Sequence, residues 1–535
     1  MASLTFYGGV KEIGGNKILL EDKGTRIFLD FGMCFDRKGD FYEEYLQPRT
    51  NNGLRDLMEL GMTPRMDGIY RNDLLKINGI EDVMKEIGCD DMSLWISDVK
   101  SYDEVAQKNG SPFIQGVLIS HGHLDHFQYI SLLDEKIPIY CSEITKIIIE
   151  TAEAVGQGGF EHEFTVAKKR ALSTLGKSSY FPGAYTITTE PVQREYRTLA
   201  QGIGIGDIQV QSFPVDHSVP GAMAFLITTS DGKTIVYTGD LRFHGRRSYL
   251  TENFKSSLKD VTPDVLIIEG TRINKDTPDS ESSVEERCLD LVSQTKGLAM
   301  VGFAWKDITR YQTMKNVAER TNRILVISPK LAFLLNRLKH IEELGIGDVS
   351  GEEAVRVYLK RKQNMIYSRG DYVSSKYDAG YSVDWDRGDP STVNLEHFTN
   401  GIRAYQIKQS PSKYLVHLDY YDFNELVDLR PAQGSTYIRA SSEPFNEEMR
   451  LDEERVRMWL RHFDINFPTH DPLYVHASGH ASGPEIKQLI QEINPKVVYP
   501  IHTEHPELFD EMVPKGTRIE KPERGKRFPV EGIGK

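Results

Sequence analysis

The sequence predicts an α/β protein of more than one domain. Three observations carry that expectation. Short apolar runs separated by glycine and polar turns recur as far as residue 270, the pattern of strands. From residue 285 onward apolar runs alternate with helical periods, the pattern of a parallel sheet. The chain has 535 residues, too many for one ordinary domain of roughly 150 residues.

Composition excludes several classes. Apolar residues make up 39% and charged residues 27%, a globular balance and not a disordered one. No stretch reaches the roughly 20 apolar residues of a membrane helix, so no membrane association is expected. The start, MASLTFYGGV, lacks a basic and then apolar leader, and the four cysteines (Cys34, Cys89, Cys141, Cys288) lie far apart without CxxC spacing. Both features predict a reduced, cytoplasmic protein. The net charge of −13 argues against general nucleic-acid binding but not against a local basic groove.

Taken in order, the first 30 residues read as two strands, 17–22 and 25–32. Residues 37–112 are mixed, with the short amphipathic pieces LRDLMELGM and IEDVMKEIG, and read as a partly helical insertion: a lid or a dimer contact. Strands return at 112–120, 137–142, 208–215, 222–230, 233–240 and 264–270, the later ones antiparallel because helical periodicity between them is thin. GLAMVGF (297–303) leads into a helix opened by Asp307, and RILVIS (323–328) into PKLAFLLNRLKHIEEL. A polar stretch spans 365–395. Strands at 414–421 and 435–441, a helix at 447–463, a helix PEIKQLIQEI and a strand at 496–502 complete the reading.

The chemistry concentrates at His121-Gly-His123-Leu-Asp125-His126, directly after the strand GVLIS. A helix cannot converge four ligands within six residues, whereas a loop leaving a strand can. Imidazole and carboxylate together select zinc or manganese. One loop does not fill two coordination spheres. His217, Asp240 and His502 each stand at the end of another predicted strand, where a shared site would need them.

These residues resemble the motifs of the metallo-β-lactamase superfamily, with its αββα sandwich. HGHLDH matches the second motif, Asp30 in FLDFG the first, His217 the third and Asp240 the fourth. The resemblance implies two divalent metal ions, zinc foremost and manganese as the alternative. His121, His123, His217 and a bridging Asp240 would hold one; Asp125, His126, Asp240 and His502 the other. Asp30 would orient a ligand histidine from behind.

Further along, Glu269 in LIIEGTR, His480 in HASGHAS and His502 in YPIHTEH resemble the acidic and histidine motifs of the β-CASP nucleases, whose extra α/β domain is inserted into the lactamase sheet. HASGH with PIH, GGVKEIGGN and FAWKDITRYQ resemble RNase J. The implied domains are 1–285 for the first lactamase part, 286–465 for β-CASP and 466–535 for the return to the lactamase domain. Only 33 residues follow His502, so the C-terminal domain usual in bacterial RNase J is expected to be absent.

The implied activity is two-metal hydrolysis of single-stranded RNA, 5′-to-3′ exonucleolytic with endonuclease activity beside it. Asp125, His480 and Glu269 are the catalytic candidates. Ser478 and Gly479, ahead of a helix, with His476, Lys306, Thr309 and Arg310, are the candidates for RNA or phosphate. Arg242 and His244 stand near Asp240, and the basic clusters Lys168-Lys169-Arg170, Arg246-Arg247 and Lys360-Arg361-Lys362 offer a groove or a solvated face. A homodimer is compatible with this reading. The alternatives are a small-ester or thioester hydrolase, a β-CASP DNA nuclease and a non-catalytic scaffold.

Overall fold

In a computed structural model, described for residues 1–43, 45–88, 98–156, 158–174, 185–199, 201–276, 279–349, 351–360, 400–442, 444, 447–467 and 475–530, two seven-stranded sheets share one apolar core. Cys89, Arg361, Lys362 and all of the 365–395 stretch lie outside the described residues. The first sheet runs Arg527–Pro529, Ser3–Gly8, Lys17–Asp22, Thr25–Phe31, Gly116–Leu118, Ile139–Cys141 and Tyr196–Thr198. The second runs Arg518–Ile519, Val497–Ile501, Val265–Glu269, Thr234–Tyr237, Met223–Thr228, Ile208–Pro214 and Gly202–Ile205. Three strands, not two, occupy the first 31 residues, because the edge strand Ser3–Gly8 pairs with Lys17–Asp22.

The strands are apolar on both faces because each sheet is covered twice. In Thr25–Phe31, Ile27 and Leu29 enter the core between the sheets, while Phe28 points to an outer cluster with Leu54, Leu57, Ile69 and Tyr70. The 37–112 segment therefore forms the outer layer of the first sheet. It is the crossover that the parallel pair Thr25–Phe31 and Gly116–Leu118 requires. On the second sheet, Val236, Leu266, Ile268 and Val498 face outward onto the helices Ser248–Ser257 and Gly483–Ile493, which contribute Phe254, Ile486, Leu489 and Ile490.

As expected, Ile208–Pro214, Met223–Thr228 and Thr234–Tyr237 pair antiparallel. Thr234–Tyr237, Val265–Glu269 and Val497–Ile501 are parallel, with Glu269 opposite Ile501. Between these last two neighbours the chain leaves to build a third, wholly parallel six-stranded sheet: Gly401–Ile402, Val355–Tyr358, Ile324–Ile327, Tyr414–His417, Ala299–Gly302 and Thr436–Arg439. This unit is moored to the sandwich by the helix Glu143–Val155. Ser142 caps that helix, its Oγ accepting from Thr145 N at 3.0 Å, and Ile144, Ile147 and Ile148 enter the core of the parallel-sheet unit. Each buried isoleucine contributes about 1.5–3 kcal/mol. No helix of the described residues is long and apolar enough to cross a membrane.

Among the described residues, most members of the basic clusters are engaged by carboxylates. The antiparallel hairpin Val166–Thr174 and Tyr185–Gln193 was not anticipated, and it carries Arg170 into a buried network with Asp73, Glu163 and Arg71. Lys169 pairs with Glu135 at 2.6 Å, Arg246 with Glu285, Arg247 with Glu343 at 3.5 Å and Lys360 with Asp422. Arg310 is likewise corrected from an RNA contact to a brace. It is fully buried; its guanidinium donates to Glu281 at 2.8 and 3.1 Å and to the carbonyl of Ala440, tying the helices Glu281–Gln294 and Ile308–Arg320 together. Truncation would strand the Glu281 charge. Arg310→Ala is expected to lower stability by about 3–5 kcal/mol, read by denaturant unfolding.

Candidate metal centre

The parallel strand ends place the site. Asp240 follows Thr234–Tyr237, Glu269 ends its strand, and His502 follows Val497–Ile501, all at one edge of the second sheet. The first sheet delivers its HGHLDH loop to the same edge after Gly116–Leu118. Asp30 and His502 both adopt left-handed backbone, with φ of 55° and 50°. Asp and His tolerate that region better than most residues, and such positions persist where the surroundings hold them.

Seven side chains converge. His121 Nε2 and His217 Nε2 lie 3.1 and 3.0 Å from His123 Nδ1, forming one group. Asp125, His126, Asp240 and His502 form a second, with His502 Nε2 3.1 Å from Asp125 Oδ2. Asp240 Oδ2 joins the two: it lies 3.1 Å from His126 Nε2, 3.6 Å from His502 Nε2, 3.7 Å from His121 Nε2 and 3.9 Å from His217 Nε2. Neither Asp240 oxygen nor His126 Nε2 has a hydrogen-bond partner, although all are buried. Buried carboxylate oxygens without a hydrogen-bond partner, amid converging imidazoles, are the donor set of a divalent ion, so the residues fit the metals that their motifs imply. Burial pushes the His121 and His217 imidazoles well below their usual value and His123 down to about 3, favouring the neutral form that ligates.

Each ligand imidazole except His123 is held by its other nitrogen. His126 Nδ1 donates to Asp30 at 2.7 Å, His217 Nδ1 to the Gly479 carbonyl at 2.5 Å, and His502 Nδ1 meets Thr271 Oγ1 at 2.7 Å. Ser120 Oγ sits between Asp30, at 2.8 Å, and His121 Nδ1, at 3.0 Å. Asp30 also accepts from Ser120 N and the Tyr237 hydroxyl. Sequence reasoning anticipated Asp30 and missed Ser120, Thr271 and Tyr237. Ser120 and Thr271 adjoin motif residues, but Tyr237 lies within a strand and offers no signal. Glycine permits the close packing: a Cβ at Gly479 would meet the His217 ring at 2.8 Å, and one at Gly14 (φ +77°) the Asp125 Cβ at 2.7 Å.

Beside the metal ligands, His480 Nδ1 lies 2.9 Å from Glu269 Oε2. Burial works against a charge on His480, yet Glu269 and Asp240 raise its pKa to about 9. Asp125, His480, His476, Ser478 and Gly479 line one cleft of about 530 Å3, together with the unanticipated Arg272, Ser441 and Ser442. Arg242 and His244 do not reach it. Arg242 Nη1 and His244 Nε2 hold the Ser478 carbonyl at 3.2 and 3.0 Å, while Asp216 and Glu485 hold them in turn. Lys306 reaches the metal loop, its Nζ donating to Gly122 O at 3.1 Å, and burial pushes its pKa down to about 8. Thr309 is buried in its helix and, like Arg310, lies off the cleft.

A family model described as the beta-lactamase superfamily domain matches residues 100–303. A second, the Zn-dependent metallo-hydrolase RNA specificity domain, matches 474–510, which holds His476, Ser478, His480 and His502. Residues 100–303 are thus similar to the beta-lactamase superfamily domain, and the chain as a whole is similar to the RNase J ribonucleases. Ribonuclease J of Pyrococcus abyssi is 22% identical over 521 residues, covering 94% of this chain and 90% of that protein. Ribonuclease J of Sinorhizobium meliloti is 21% identical over 398 residues, and the match spans 73% of this chain but 58% of that longer protein. A protein of unknown function from Enterococcus faecalis V583 shares the fold across 98% of this chain and 99% of its own, with a TM-score of 0.65 at 23% identity.

At this site, the partners behind the ligands predict graded losses. Asp30→Ala is expected to weaken metal affinity about 10–100-fold, measured by competition with a chromophoric chelator. Asp240→Ala removes the oxygen common to both groups, and elemental analysis should find the content of both ions reduced. Loss of one ion alone would contradict a bridging role.

Proposed function

We propose that the protein is a ribonuclease that hydrolyses single-stranded RNA with two divalent ions, zinc or manganese, releasing nucleotides from the 5′ end. The observation that supports this best is the joint lining of one cleft by His123 of one ligand group, by Asp125 and His502 of the other, by His480 on its Glu269 partner and by His476, Ser478 and Gly479. A small-ester hydrolase has no use for the last two.

When bound, the two ions supply a nucleophile at neutral pH and offset charge on the phosphate. His121, His123 and His217 would hold one ion and Asp125, His126, Asp240 and His502 the other. The chain's remaining task is the leaving ribose oxygen. Glu269 keeps His480 Nδ1 protonated and the ring cationic, so Nε2–H is the proton that the leaving oxygen can take. Asp125, beside His502, is the second candidate to orient the attacking water.

The loop of Ser478 and Gly479 supplies an anion seat. Ser478 Oγ accepts from His480 N at 3.1 Å, which leaves its own O–H free to donate. His476 is held neutral, its pKa well below the usual value because of burial and nearby Arg310, Arg242 and Arg272. Arg272, the one of the three that lines the cleft, gives the seat positive potential. A terminal phosphate placed there sets the next phosphodiester toward the metals, the arrangement a 5′-end exonuclease requires.

The test is digestion of end-labelled, 5′-monophosphorylated RNA by metal-loaded protein. Mononucleotides released from the 5′ end, with kcat lowered about 10²–10⁴-fold by His480→Ala or Glu269→Gln, are expected. Internal fragments alone would make the enzyme an endonuclease. Preferential cleavage of DNA would move it to the β-CASP DNA nucleases. Hydrolysis of small esters with RNA untouched would overturn the proposal.

A further inference from the structure

A second cavity, of about 540 Å3, opens between the 35–47 segment and the parallel-sheet unit. That volume falls within the roughly 300–1,000 Å3 of ligand sites. One wall is the short helix Phe35–Gly39 with Tyr42; the other is the turn Tyr420–Glu425 and the helix Glu447–His462. Along the second wall runs a ladder of rings. Tyr421 and Tyr420 have centroids 5.4 Å apart, Tyr420 and Phe423 6.0 Å, and Phe423 and Trp459 6.4 Å. The inner rungs are packed, but Tyr421 is 82% exposed and Phe35 on the opposite wall 39%.

Two features identify the occupant. Phe35 lines both this groove and the catalytic cleft, and its neighbour Asp36 lines the cleft, so the two cavities adjoin at Phe35. A chain leaving the cleft past Phe35 enters the groove. The second feature is charge. The lining cations are already paired, Lys38 with Glu161 at 3.0 Å and Arg455 with Asp452 at 2.7 Å, and Glu43 and Glu448 add negative charge. Such walls do not draw a phosphate backbone. Aromatic faces do hold bases, whatever their identity.

We propose that this groove holds bases of single-stranded RNA lying outside the catalytic cleft, stacked on Tyr421, Tyr420 and Phe35, with the phosphates turned to solvent. The proposal rests on the ribonuclease reading and adds to it a site for the body of the substrate. It has a physical signature. Phosphate contacts release counterions and weaken steeply with salt, whereas stacking releases none. The groove's contribution to affinity therefore stays constant as salt rises.

The test is equilibrium binding of fluorescent, hydrolysis-resistant 2′-O-methyl phosphorothioate oligouridylates to the metal-loaded full chain. Oligomers of about 20 and about three nucleotides are compared at about 50 and 200 mM salt. The variant Tyr421→Ala should bind the longer oligomer about 5–100-fold more weakly, by the same factor at both salt concentrations. Binding of the short one should change less than about twofold, and Tyr421→Phe should bind like the parent, which separates stacking from misfolding. A defect that vanishes at high salt, or one equal for both lengths, would overturn the proposal. So would unchanged RNA binding with lost self-association in sedimentation, which would assign the groove to a second copy of the chain. Failure of the unmodified protein to bind either oligomer would instead sink the ribonuclease reading itself.

Discussion

The Asp240 carboxylate is the constraint on which the rest of the structure depends. It is buried, it accepts no hydrogen bond, and one of its oxygens lies within 4 Å of five imidazole nitrogens, from the HGHLDH loop and from His217, His480 and His502. A buried charge left in that state would cost several kcal/mol. The fold tolerates it because the surrounding groups are ligands, and a divalent ion turns an electrostatic liability into bonds. Folding and metal binding are coupled through this one oxygen.

The sandwich is arranged to deliver that geometry. Two sheets buried on both faces are stiff, and both present strand ends at the same edge. Short loops from those ends have little freedom, and what freedom remains is removed from behind by Asp30, Ser120, Thr271 and the Gly479 carbonyl. The left-handed backbone at Asp30 and His502 is held by the same contacts. Precision at the metals is therefore a property of the second ring of residues as much as of the ligands.

The parallel-sheet unit contributes differently. It is moored by apolar packing of Ile144, Ile147 and Ile148 and braced internally by Arg310 and Glu281, and it supplies one side of the cleft through Ala440, Ser441 and Ser442. The 37–112 segment covers the first sheet and, through Phe35, reaches the cleft rim.

How much of this was legible in the sequence follows from the range of the interactions. Ligand residues cluster at strand ends, and both the apolar runs and the HGHLDH loop are local patterns, so the fold class and the seven converging residues could be named before any coordinates. Glu269 and His480 were legible as motif residues, though not their 2.9 Å contact. Tertiary structure alone decided which charged residues face the substrate. Arg310, Arg170, Arg242 and His244 read locally like surface cations, but a guanidinium or imidazole goes inside once a distant carboxylate or carbonyl meets it: Glu281, Asp73, Asp216 and the Ser478 carbonyl. Those partners lie far along the chain or on other elements, and no spacing in the sequence encodes them. The same holds for the outer layer built by residues 37–112 and for the groove beside Phe35, because a surface formed by two distant segments exists only after both have packed.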